Sequence, residues 1–466
     1  MKKIMFINPP SPDGEVVIRD FNRSGRKTRE NIVWCQVGLA TLAGMVKNHK
    51  VKILDCIGSK MGWEEFRKEL KLFRPDYVVV LVVSATLTND MRAIFLAKSM
   101  GAVTIGIGPH LTDLWRESLT KFPCLDYIIR GEPEITLREL LKAVEAMEDL
   151  RNIDGIAYYG DGPVKTQDRE FMDLRGLPSP LYYLLPLENY TSPFLGKYAF
   201  VITHRGCPFS CIFCRQTVMW KSKVRCRPIT SVIRDMQYLR SRGVNNIMMY
   251  SDTFTADRQW VLDLCNHIHM VGGGFKWCCN THIKLLDEEL AHEMKKAGCW
   301  MIAPGIESGS DDVLEMCEKK ITVKEIEEKI LIIKDAGMEA WGYFIFGLPG
   351  ETKETIEKTI KLSLKLPLDM ANFAIASPYP GTRFYSMAME NGWLLQADWE
   401  QYDQNKSAVV QYKDLSAEDI INATKRANLL FFRRPSKMWR IFKELLKNKD
   451  TWKIIQNHKR WIDARD

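Results

Sequence analysis

Cys207-Pro208-Phe209-Ser210-Cys211-Ile212-Phe213-Cys214 packs three cysteines into eight residues, directly after the apolar run Tyr198-Ala199-Phe200-Val201-Ile202. Gaps of three and two residues let one loop wrap three thiolates around a single metal centre. Thiolates are the soft ligands that zinc and iron–sulfur clusters select. A structural zinc site would want a fourth Cys or His and would close on itself, whereas a cluster held by three protein ligands keeps one iron free for substrate. The chain has 12 cysteines, and only these three have ligand spacing. Cys278 and Cys279 are adjacent and point to opposite faces of a strand, so they read as packing residues.

Beyond the loop, apolar runs and helical patterns alternate. Thr203-His204-Arg205-Gly206 leads into the cysteines, residues 229–242 read as a helix with Thr230 placed to cap it, and 246–250 form a strand ending in Ser251-Asp252-Thr253-Phe254. Further strands at 277–281, 301–303, 340–346 and 373–377 follow. The last three run into Gly305-Ile306-Glu307-Ser308-Gly309-Ser310, Gly347-Leu348-Pro349-Gly350-Glu351-Thr352 and Pro378-Tyr379-Pro380-Gly381-Thr382. Six such units close most of a (β/α) barrel, and polar and glycine-rich residues at strand C-termini are where such a barrel keeps its chemistry. Glu307, between an apolar strand and two glycines, is awkwardly placed for a merely solvated charge. Glu351-Thr352 suits the start of the next helix.

Before the loop the same alternation occurs. Strands read at 3–8, 50–56, 76–84, 103–108 and 127–130, with helices at 38–46, 63–73 and 90–100. This βαβ series predicts an α/β, doubly wound (Rossmann-like) sheet with its ligand crevice at the carboxyl ends of the strands. Those ends carry Asn8-Pro9-Pro10, Asp55-Cys56, Ser84-Ala85-Thr86, Gly106-Ile107-Gly108-Pro109-His110 and Gly131-Glu132-Pro133-Glu134. Residues 154–159 look like a hairpin strand, and Leu177-Pro178-Ser179-Pro180 with Pro186 and Pro193 reads as an extended connector. The expected organisation is a doubly wound ligand-binding domain at 1–148, a linker at 149–195, a partial TIM-type barrel at 196–385 and a basic helical region at 386–466.

The Cys-x3-Cys-x2-Cys spacing, with aromatic Phe213 before the last Cys, resembles the signature of radical S-adenosylmethionine (SAM) enzymes. The N-terminal strand ends resemble the cobalamin-binding domain that precedes many of them, in the class that includes radical methyltransferases and the anaerobic magnesium-protoporphyrin ester cyclase. The resemblance implies a [4Fe-4S] cluster on Cys207, Cys211 and Cys214, with S-adenosyl-L-methionine chelated to the open iron beside Phe213. It implies that Asp252 meets the amino group and that Glu307 and Ser308 meet the ribose or methionyl part; carboxylates suit both tasks. Cobalamin would lie against Ser84, Thr86, Gly106, Gly108 and Glu132. Many cobalamin domains carry Asp-x-His-x-x-Gly, whose His ligates cobalt from below. Here Asp55-Cys56-Ile57-Gly58 has no His, and the domain's histidines are His49 and His110, so no histidine lower ligand is expected. The activity implied is methylation of an unactivated carbon, in which a deoxyadenosyl radical removes hydrogen and methylcobalamin gives the methyl group. An electron donor such as ferredoxin or flavodoxin is required. The same cofactors could drive cyclisation, oxidation or carbon–carbon coupling on a tetrapyrrole, lipid or natural product. An iron–sulfur sensor or binding protein would use the cysteines but leave the strand ends unexplained.

At 466 residues the chain is long enough for two or three domains. Its 46% hydrophobic and 27% charged residues are those of a globular protein. No apolar stretch reaches the length of a membrane span, and Asn8-Pro9-Pro10 ends the first apolar run too soon for a secretory signal. A cytoplasmic, anaerobic setting with reduced thiols is expected. From Lys425 to Asp466 there are thirteen Lys or Arg against four acidic residues, enough to account for the formal net charge of +8. Aromatics are interleaved, among them Phe431, Phe432, Trp439, Trp452 and Trp461. Solvated helix faces are the default reading of this tail, ahead of a dock for an acidic protein or membrane surface; no nucleic-acid partner is expected. By resemblance, Phe431 to Pro435 forms a lid or substrate-side element, and the basic tail tilts the substrate expectation towards a protein or peptide.

Overall fold

Continuous apolar runs of five or six residues suit strands buried on both faces of a parallel sheet. Tyr77–Leu81 (β3) is such a run, and with Lys3–Asn8 (β1), Lys50–Asp55 (β2, an edge strand with polar Lys50 and Lys52), Val103–Ile107 (β4) and the three-residue Tyr127–Ile129 (β5) it pairs in parallel in the order β2-β1-β3-β4-β5. Val37–Met45 (α1), Trp63–Phe73 (α2), Leu87–Lys98 (α3) and Pro133–Ala146 (α4) are the main connecting helices. The order reverses at β1, which makes the crevice beside β1 and β3 the switch point where such sheets bind ligands. The structure is a computed structural model and describes residues 1–21, 25–28, 32–192 and 195–440. Pro193 and the tail beyond 440, with Trp452 and Trp461, lie outside the described residues. Two compact units are present, one built from Met1–Thr28 and Val33–Tyr190, the other from Thr191 onward.

Part of the expected linker belongs to the first sheet. Ile156–Tyr159 (β6) and Pro163–Lys165 (β7) form a hairpin that pairs antiparallel with β5, Ile128 opposite Ala157. Gly155 makes the return possible: its φ is +80°, and a Cβ there would meet Thr136 Oγ1 at 3.2 Å and Arg169 Cβ at 3.3 Å. Farther on, the connector is tied back to the strand ends, where the Tyr190 hydroxyl donates to Asp55 Oδ2 at 2.7 Å and Asn8 Nδ2 donates to Asp55 Oδ1 at 2.7 Å. The first unit therefore extends to Tyr190.

In the second unit, Thr191–Ser192 (β8) lies antiparallel to Gly196–Ile202 (β9) at one edge. His204–Arg205 (β10) and Arg225–Cys226 (β11) form a separate pair. Asn246–Tyr250 (β12), Lys276–Thr281 (β13), Cys299–Glu307 (β14), Glu339–Phe346 (β15) and Met370–Ile375 (β16) continue from β9 in sequential parallel order. β9 and β16 do not pair with each other, so the six parallel strands make an open barrel. Ile229–Ser241 (α5), Arg258–Met270 (α6), Glu288–Lys296 (α7), Val323–Asp335 (α8) and Lys353–Lys365 (α9) are the main crossover helices, and Ala417–Phe432 (α10) covers β16. Along β15 and β16 burial alternates strictly. The fully buried set, with Phe344 stacked on Phe373 at 5.1 Å and Phe373 edge-on to Phe431 at 6.1 Å, faces the helix.

Three local expectations are corrected. Thr230 does not cap α5; Pro228 is the N-cap residue, and Thr230 is already inside the first turn. Of the Glu351-Thr352 pair only Thr352 caps α9, its hydroxyl accepting from Thr355 N, while the Glu351 carboxylate turns back onto Gly347 N. Phe431 to Pro435 is no lid. Arg434 Nη1 donates to Leu364 O at the end of α9 at 3.0 Å, and Arg440 pairs with Glu339 at 2.7 Å at the start of β15, the end of the barrel opposite the cysteines. Ser416 does start α10 in a reciprocal capping box with Asp419.

The first unit hangs on one internal ion pair. Arg19 Nη2 lies 2.9 Å from Asp90 Oδ1, with both side chains 0% exposed. Arg19 also donates to Thr86 Oγ1, Asn8 Oδ1 and Pro9 O, and Asp90 accepts from Val83 N and Thr86 Oγ1. Arg19→Met leaves Asp90 buried without its cation, and we expect a loss of about 3–5 kcal/mol in denaturant unfolding of this unit, with part recovered in the Arg19→Met/Asp90→Leu double variant.

Candidate cluster and cofactor sites

The loop that carries the cysteines is held from several strand ends at once. At its start, Gly206 has φ +92°, and a Cβ there would fall 2.0 Å from Lys223 O; only glycine fits. Gly206 N donates to Asp252 Oδ2 at 2.8 Å, so the carboxylate after β12 anchors the residue before the first cysteine. Next to it, Thr253 Oγ1 donates to Cys207 Sγ at 3.1 Å. Phe209 stacks on His282, after β13, with ring centroids 3.7 Å apart and 15° between planes. His282 Nε2 meets Lys319 O at 2.9 Å, and burial pushes the imidazole down to about 3, so the ring is a neutral donor. Ile212 N donates to Cys317 O, and buried Arg215 donates to Pro380 O, beyond β16, at 2.6 Å.

The thiols share one electrostatic environment. Burial, and then the charge of Cys211, pushes Cys214 far above the usual thiol range; burial moves Cys211 up to about 11 and raises Cys207 as well, with Thr253 acting in the opposite direction. Among the described residues no three His, Cys, Asp or Glu side chains close around a single ion. Beside the thiols is an ammonium: Lys319 Nζ donates to Glu307 Oε1 at 2.8 Å, with both side chains nearly buried. Burial opposes the charge on Lys319, but Glu307, then Cys211, outweighs it and holds the ammonium above the ordinary lysine range. Glu307 has φ +69°, rare for a residue with a side chain, and the β14–β15 register breaks between Gly305 and Glu307. A Cβ on Gly305 would lie 2.3 Å from Glu307 Oε1 and 2.9 Å from Lys319 Nζ, so this glycine makes room for the pair.

Of the residues singled out in the sequence, Cys207, Cys211, Cys214, Asp252 and Glu307 surround this loop, and Phe213 is half-buried within it. Ser308 is turned elsewhere: its hydroxyl is fully buried, 3.3 Å from Thr359 Oγ1, and accepts from Ser310 N. Glu351 is buried too, and burial moves its carboxyl up to about 8 against the pull of the Gly347 and Leu348 amides. Sequence reading missed Lys319, Thr253 and His282. Only Thr253 and His282 had a signal, as polar residues directly after strands.

In the first unit the expected residues stand at strand C-termini and are engaged by their own unit. Ser84 Oγ lies 3.0 Å from His110 Nδ1, Thr86 joins the Arg19–Asp90 network, and Glu132 Oε2 accepts from Met172 N at 3.0 Å. A Cβ on Gly106 would meet Leu111 at 2.4 Å, and one on Gly108, at φ +122°, would meet Val82 O at 2.4 Å. Both glycines are explained by close packing. What remains is a row of buried polar groups along the crevice, which suits a large polar ligand such as cobalamin better than an apolar one.

Comparison with known proteins fits both halves. Residues 201–363 match the radical SAM superfamily and residues 32–141 the B12 binding domain. The chain is 32% identical over 406 residues to an uncharacterized methyltransferase of Pyrococcus horikoshii, covering 86% of this chain and 88% of that one. It is 28% identical to the anaerobic magnesium-protoporphyrin IX monomethyl ester cyclase of Rubrivivax gelatinosus, covering 86% and 72%. Its fold superposes on the radical SAM methyltransferase TsrM of Kitasatospora setae, solved with cobalamin and a [4Fe-4S] cluster (TM-score 0.69, 17% identity, 85% of this chain and 79% of that one). It also superposes on the cobalamin-dependent radical enzyme OxsB, solved with aqua-cobalamin and SAM (TM-score 0.74, 15% identity, 99% and 71%). No helix among the described residues is long and apolar enough to cross a membrane. A doubly wound sheet with polar strand ends, followed by an open barrel with three thiols in its first loop, is thus matched in both units by sequence and by fold: the chain belongs to the cobalamin-dependent radical S-adenosylmethionine enzymes.

Proposed function

We propose that this enzyme is a C-methyltransferase that methylates an unactivated carbon. The observation that carries the reading is the buried Lys319–Glu307 pair beside three loop thiols, in a chain related over nearly its full length to a methyltransferase. Cys207, Cys211 and Cys214 hold the [4Fe-4S] cluster. Lys319 presents its ammonium to the carboxylate of SAM, Asp252 is placed for the amino group, Glu307 for the ribose, and Phe213 for contact along the loop. Ser308 is a positioning residue that fixes the turn bearing Glu307. Ser84, Thr86, Gly106, Gly108 and Glu132 shape the crevice for cobalamin. When bound, the cluster with SAM supplies a radical able to remove hydrogen from carbon, and cobalamin supplies a methyl group.

The chain's own residues prepare that chemistry. Buried thiols with raised pKa stay protonated until a metal centre compensates their charge, so cluster assembly releases protons. The Thr253 hydroxyl stabilises the Cys207 sulfur as an anion by hydrogen bonding. The Phe209–His282 stack and the Asp252–Gly206 bond keep the loop from moving when a ligand binds. An electron donor of ferredoxin or flavodoxin type supplies the reducing electron. The described part of the basic tail packs at the far end of the barrel and lends no support to a protein or peptide substrate.

Anaerobic reconstitution with hydroxocobalamin should give a single four-iron cluster and one cobalamin per chain, and Cys207→Ala, Cys211→Ala or Cys214→Ala should abolish the cluster. With SAM labelled in its methyl group, deoxyadenosine and a labelled product are both expected. Deoxyadenosine without labelled product would favour the cyclase or coupling reading, and neither would favour the sensor. Lys319→Met should weaken SAM binding by about tenfold or more at unchanged iron content, with Lys319→Arg restoring most of it. For cobalt, the cob(II)alamin paramagnetic resonance spectrum should lack nitrogen superhyperfine splitting, and His110→Ala should leave it unchanged; splitting lost in that variant would make His110 the lower ligand.

A further inference from the structure

The barrel's inner face is lined by aromatic and amide side chains. Strand alternation turns Tyr250, Asn280, Trp341, Tyr343 and Asn372 away from the helix-covered face, Trp300 joins them at the register shift of β14 against β13, and all six are half-buried rather than packed away. The sheet register lines them up. Tyr250 is opposite Ile202 on β9, and one step beyond the paired Met249 and Cys279 it neighbours Asn280. Asn280 is opposite Ala303, Tyr343 is opposite both Gly305 and Asn372, and Trp300 and Trp341 meet edge to face at 6.0 Å. On β14 the inward positions beyond Met301 are Ala303 and Gly305, which add almost no bulk, so a slot is left between the aromatic walls. Tyr250 and Asn280 lie within three residues of Thr253 and His282, the groups that touch the cysteine loop, so the slot opens directly below the thiols.

Two further features define what fits. Between the Glu307–Lys319 pair at the mouth and Lys276 and Glu339 at the base, no inward strand position among the described residues is charged. An ionised group entering this space would lose its hydration without a counter-charge. Asn280 Oδ1 is buried with no hydrogen-bond partner among the described residues, an acceptor that needs a donor from elsewhere. Aromatic walls favour a flat π-system.

We propose that the slot takes a flat, uncharged, conjugated ring bearing a ring N–H, which Asn280 accepts, and that this ring is the part of the substrate brought to the cluster. This rests on the reading that the barrel holds the reacting centre. The test reads binding without turnover, so failure of methyl transfer would leave it standing. The cluster-reconstituted full chain is titrated anaerobically with indole by calorimetry and with carbazole by its fluorescence. Saturable one-site binding of at least one is expected. For the ring that binds, Tyr343→Leu should weaken it about tenfold while Tyr343→Phe does not. Asn280→Leu should weaken it about tenfold too, and should leave the N-methylated form of the same ring unaffected. Iron content per chain, unchanged in each variant, reports that the barrel has folded. Absence of binding by both rings, equal binding of indole and the uncharged, saturated lactam octahydroindol-2-one, or insensitivity to Asn280→Leu would overturn the proposal.

Discussion

Three thiols within eight residues, one buried and two half-buried, are a liability unless something charged sits among them, and the second unit is arranged around that constraint. Burial alone drives their protons on, and each thiolate that forms makes the next harder to form. The fold responds with a loop that cannot relax. Asp252 and Thr253 after β12, His282 after β13 and Pro380 after β16 hold its backbone or side chains. An open barrel is well suited to this, because parallel strands deliver their carboxyl ends to one rim and each can contribute one short contact.

The first unit meets the same difficulty differently. Its strand ends are also polar and buried, but they are satisfied by one another: Arg19 with Asp90, Asn8 and Tyr190 with Asp55, Ser84 with His110. A guanidinium held by a carboxylate, a hydroxyl and main-chain carbonyls is fixed in every direction. The crevice is therefore pre-shaped by the chain's own hydrogen bonds, and a ligand entering it need not order them.

How much of this the sequence disclosed follows from the kind of signal involved. Strands such as Tyr77–Leu81 were legible because doubly buried strands are unbroken apolar runs, and the three-cysteine loop because its spacing is local. Contacts set by tertiary neighbours were not. Ser308 stands in a motif beside Glu307, yet its hydroxyl is claimed by Thr359, about fifty residues on. Gly106 and Gly108 read as ligand-facing, whereas Leu111 and Val82 O are what forbid a side chain there. Thr230 follows a proline that already sets the helix start. Lys319 sits in a Lys-Lys pair indistinguishable from any solvated turn, and only the fold brings it against Glu307.

That pairing is also where stability and chemistry part company. Burying an ammonium and a carboxylate costs several kcal/mol per ion before their attraction returns any of it, and apolar residues of similar size would serve packing as well or better. Glu307 adds a backbone conformation that costs roughly 1–3 kcal/mol for a residue with a Cβ, and Gly305 gives up its side chain to make room. Nothing in the packing of β14 requires these costs, since Ile302 and Ala303 on the same strand are buried without difficulty. A strained carboxylate and a dehydrated ammonium, set beside thiols whose own charge awaits compensation, are preorganised for a ligand that carries both signs of charge. The methionyl part of SAM, proposed to bind here, would be such a ligand, and its binding would repay the strain that packing alone does not.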